Sequence, residues 1–65
     1  MKTQRVRLLQ LWKRKNGVVY EVADERQDRG MREVLLVPVA VPHGIRARKA
    51  WKWDEAVQSE LEFVG

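Results

Sequence analysis

The chain has 65 residues, 34% of them charged and 45% apolar, with a formal net charge of +4. A chain this short builds one small core, which is marginal unless something staples it. The absence of cysteine excludes disulfides and cysteine-ligated zinc, the lone His43 cannot make a metal site, and the longest apolar run, residues 34–42, is too short to span a bilayer. The expectation is a single soluble, cytoplasmic domain over residues 1–65, with no cofactor and no membrane association.

Residues 1–4 are expected to fray. Residues 5–12, RVRLLQLW, are rich in apolar and aromatic residues and predict a strand. Asn16-Gly17 signals a two-residue type I′ hairpin, which returns through VVYEVA at 18–23. That loop sets a register: Lys13 faces Tyr20, Leu11 faces Val22, Trp12 faces Glu21 and Arg14 faces Val19. Leu9, Leu11, Val18, Tyr20 and Val22 then share the core face, and Trp12 lies on the opposite face beside Arg14. A longer loop would exchange the two faces of the first strand.

Residues 24–32, DERQDRGMR, read as a charged loop around Gly30. Residues 33–41, EVLLVPVAV, read as a β-branched strand. Pro38 cannot donate to a ladder, so it marks an edge or a bulge. After a turn at Pro42-His43-Gly44, residues 45–53, IRARKAWKW, alternate in character. Ile45, Ala47, Trp51 and Trp53 form an apolar side, expected to be core. Arg46, Arg48, Ala50 and Lys52 form a basic side. Asp54 is the expected N-cap of a short helical turn, and residues 61–64, LEFV, close the chain as a last strand.

Five short strands and one short helical turn predict an all-β fold, a small five-stranded barrel. The order of these pieces (a basic strand ending in Trp12, the Asn16-Gly17 turn, VVYEV, a polar loop, a long apolar strand, a second basic strand ending in Trp53, an Asp54-led turn and FV) resembles small SH3-like barrels. It is most similar to short basic barrels encoded by bacteriophages and related mobile elements. The resemblance covers residues 5–64 and is one of texture. No KOW or Tudor signature is present, and no ALYDY-type segment supports polyproline binding. The resemblance implies a fold and, for phage-type barrels, a host protein as partner.

No P-loop, GxGxxG or HExxH occurs, and Ser59 and His43 are the only serine and histidine. The chain is therefore expected not to be an enzyme. Charge is segregated: residues 1–15 and 45–53 hold bases and no acids, and residues 54–65 hold acids and no bases. Such segregation suits a polyanion or an acidic protein surface. Bases and tryptophans interleave twice, as WKRK and RARKAWKW, the pairing that small barrels use on single strands. The leading expectation is a basic module that binds nucleic acid. Arg5, Arg7, Arg14, Arg46, Arg48 and Lys52 would contact phosphates as one continuous face, and Trp12 would stack on bases. The alternative is a protein-interaction or inhibitor module that meets an acidic host protein through the same face, or pairs through an edge strand at 34–41. That edge also offers a route to a homo-oligomer.

Overall fold

The computed structural model describes residues 4–65. The strands are β1 (Leu11–Lys13), β2 (Val19–Asp28), β3 (Met31–Ala40), β4 (Ala50–Trp53) and β5 (Glu62–Phe63), with helix α1 (Asp54–Glu60) between the last two. They form one antiparallel sheet in the order β4-β3-β2-β1-β5, with β4 and β5 at its two edges. The expectation that residues 1–4 fray falls mostly on residues 1–3, which lie outside the described ones. Gln4 is held: its carbonyl accepts a hydrogen bond from Gln58 Nε2 at 3.0 Å.

The first hairpin has a loop of three residues. Gly17 N–H donates to the Arg14 carbonyl, and Arg14 N–H donates to the Val18 carbonyl, both at 2.9 Å. Only Gly17 has positive φ (+92°), so the loop is a turn closed by a left-handed glycine rather than a type I′ pair. Asn16 still serves the loop, since its Oδ1 accepts from Val18 N–H at 3.1 Å. The extra loop residue slips β1 by one position, so Trp12 pairs with Tyr20 and Leu11 with Glu21. The expected register is thus corrected, and Trp12 turns into the core. Burying an indole removes more apolar surface than burying Leu11. Gln10 Oε1 completes the arrangement by accepting from Trp12 Nε1 at 3.1 Å.

β1 is shorter than predicted. Residues 5–10 lie outside the strands, and Arg7 to Gln10 form a turn with Leu9 at φ +71°. Val6 is buried ahead of this turn.

The charged segment 24–32 is not a loop. It continues β2 into β3 through a two-residue turn at Arg29-Gly30, both at positive φ (+53° and +76°). The type I′ geometry expected at Asn16-Gly17 is met here instead. Charge did not prevent strand formation because this hairpin carries its own cross-strand pairs, Arg26 with Glu33 at 2.9 Å and Arg32 with Glu25. Two register shifts bend the hairpin, leaving Ala23 and Val39 without partners. The second adjoins Pro38, as the missing N–H required.

β4 spans only residues 50–53, not 45–53. It pairs with Glu33–Leu36, so that stretch of β3 lies inside the sheet, while Met31, Arg32 and residues 37–40 lack a second neighbour. The expected edge at 34–41 is corrected accordingly. The N-cap of α1 is Trp53, not Asp54, and it makes no side-chain cap. Asp54 and Glu55 instead occupy the first turn, where carboxylates favour the helix dipole. The core joins Val6, Trp12, Val18, Tyr20, Val22, Val34 and Leu36 to Val57 of α1 and to Leu61.

Candidate functional site

Cross-strand partners share a face of the sheet, which decides where β4 points its side chains. Lys52 and Ala50 lie opposite Val34 and Leu36, both buried, so they face the core side, where α1 packs. Trp51 and Trp53 lie opposite Leu35 and Glu33, on the outer side. The expectation that Trp51 and Trp53 are core is therefore reversed. α1 packs on the basic side of β4, and Lys52 reaches over it to pair with Glu60 at 2.8 Å.

This arrangement builds a basic groove. Arg14, just after β1, meets the end of α1 in an open recess of about 390 Å³ lined also by Lys15, Asn16, Ser59 and Glu60. Lys13 and Glu62 lie along its neighbouring stretch. On the other side of Arg14 a smaller recess of about 100 Å³ brings in Arg48 and Lys52, beside Tyr20, Trp51 and Leu61. Arg14 is common to all three. Glu60 and Glu62 are the acids inside this basic surround, and Glu60 is the one paired with Lys52. Its carboxyl is held below its ordinary value, chiefly by the hydrogen bond and charge of Lys52, with a smaller contribution from Arg14.

The predicted phosphate contacts separate into two groups. Arg14, Arg48 and Lys52 converge in the groove. Arg5 and Arg7 line a different recess with Arg32 and Asp54. Arg32 is already engaged there by Glu25, by Asp54 at 3.7 Å and by the Val6 carbonyl at 2.6 Å. Arg46 is exposed in the segment before β4 and lines neither recess. One continuous basic face is thus corrected to two clusters, of which the Arg14 groove holds more unpaired charge. Trp12 is 2% exposed, with Phe63 packed edge-on at 5.5 Å, so its ring presents no face to a base.

Lys13 and Lys15 belong to the groove but were not singled out. They flank Arg14 in the WKRK run, which is the signal that marks them. Glu60 carried no such signal, because only the packing of α1 brings it to Lys52. Among the described residues no cluster of three or more His, Cys, Asp or Glu could hold a metal ion, and no helix is long and apolar enough to cross a membrane. Comparison with protein-family models, with curated proteins and with solved structures finds no match.

Proposed function

We propose that this chain is a non-enzymatic, SH3-like binding module whose groove around Arg14 takes nucleic acid. Five antiparallel strands with one short helix before the last support the barrel-type reading. The observation that carries the function is the convergence of Arg14, Arg48 and Lys52, distant in sequence, on one recess walled by aromatic and apolar residues. Lys13 and Lys15 extend it into a track of charge of the kind that holds a phosphate backbone. The test is anisotropy of labelled DNA and RNA oligonucleotides at low and moderate salt. Binding that weakens with salt and is lost on charge reversal at Arg14 and Arg48 supports the function; no binding at low salt refutes it.

A second reading has its own observation. Residues 37–40 of β3 have a free edge, and Val39, Val41 and Ile45 are exposed around it. A protein partner that adds a strand there would be blocked by a second proline at Val39, with DNA binding unchanged.

A further inference from the structure

We infer that the nucleic acid taken by this groove is single-stranded and that its bases stack on Trp53, on the outer side of edge strand β4. This rests on the groove binding nucleic acid and goes beyond it by naming the strandedness and the platform.

A base needs a flat ring with an open face. Trp12 has none, as shown above. Trp51 is half-buried, and the Arg26 guanidinium lies 4.1 Å from its ring centroid. Trp53 is 48% exposed, and among the described residues no ring or guanidinium is stacked on it. Nor does Trp53 belong to the core cluster. A large exposed aromatic on an edge strand adds little to folding and invites aggregation.

Trp53 also sits where two regular elements meet. It is paired with Glu33 of β3 and is the N-cap of α1, in extended conformation. Sites on strands and helix ends hold their geometry better than sites on loops.

The strongest support is the alternation of β4 itself. Lys52 points to the groove and Trp53, the next residue, points to the opposite side. β4 is an edge, so both sides can be reached from one line of approach. A single strand carries its phosphates and its bases on opposite sides of the sugar. Lying along β4, it can place phosphates toward Lys52, Arg48 and Arg14 and swing a base onto Trp53. A duplex keeps its base faces stacked inside and cannot use the ring.

The test compares a labelled twelve-residue oligothymidine with a twelve-base-pair duplex at equal salt, for the wild type, Trp53→Ala and Trp53→Phe. Single-strand binding should be tighter than duplex binding. Trp53→Ala should weaken it about tenfold with the salt slope unchanged, and Trp53→Phe should restore part of the loss. Urea unfolding of each variant confirms that the fold is intact. Equal single-strand affinity in the wild type and Trp53→Ala overturns the platform, and duplex binding as tight as single-strand binding overturns the strandedness, while in both cases the groove stands. Salt-dependent binding to neither DNA overturns the groove itself, and the inference with it.

Discussion

Replacing Arg14 and Arg48 together with glutamine tests the groove most directly, because the expected change is in a slope as well as an affinity. Lys13, Arg14, Lys15 and Arg48 line the groove without an ion pair among the described residues, whereas Lys52 is held by Glu60. Each phosphate neutralised on a single strand contributes about −0.7 to the slope of log K against log salt. Four such charges give a slope of about −2.8, so a rise from about 50 to about 200 mM salt should weaken binding about fiftyfold. With two of them removed the slope falls to about −1.4, and the same rise should cost only about sevenfold. Anisotropy titrations of a labelled oligothymidine across that salt range measure both values. Both arginines are exposed, so the fold should be undisturbed. An Arg5→Gln, Arg7→Gln control should keep the wild-type slope, since its recess is separate. A double variant at Arg14 and Arg48 with an unchanged slope would refute the assignment, as would an equal fall in the Arg5 and Arg7 control.

Three further expectations concern the frame around the groove. Trp12→Ala should destabilise by about 3 to 5 kcal/mol, most of what a domain of this size has, and urea unfolding should lose its native baseline; a well-folded variant would contradict the buried position of Trp12. Leu9 is 73% exposed at φ +71°, so Leu9→Gly should stabilise by about 0.5 to 1 kcal/mol, and a fall in the urea midpoint would show that the turn is not strained. Glu60→Gln should bind DNA more tightly at neutral pH and steepen the salt slope, because Lys52 is freed; unchanged binding would place Lys52 outside the site. The carboxyl of Glu60 lies below its ordinary 4.5 in the folded chain, so its stabilising contact with Lys52 is present above that value and is lost as pH falls through the lowered one. Acid titration of stability should therefore separate the wild type from Glu60→Gln above that value, and the two should converge at the acid end.

The basic groove itself was half legible before any fold was known. WKRK and RARKAWKW announce two segments in which cations and tryptophans alternate. Their identity as candidate partners of a polyanion follows from charge alone. Which ring could serve was not legible, because that depends on register. Alternation says that Trp51 and Trp53 share a face but does not say which face meets the helix.

Composition and local chemistry determined a good part of this protein. The all-β class, the reversal at residues 14–18, the irregularity at Pro38 and the short helix after Trp53 all follow from residue types and their immediate neighbours. These are short-range effects, carried by φ preferences, missing donors and period-two alternation. What only the tertiary structure decided are the one-residue slip that buries Trp12, the cross-strand ion pairs that extend β2 and β3 through a charged stretch, and the side of β4 on which α1 packs. Each compares two arrangements of equal local quality. The choice falls to whichever buries more apolar surface and pairs more charge across strands far apart in the chain. The same choice brought Arg14, Arg48 and Lys52 together and left Trp53 facing outward.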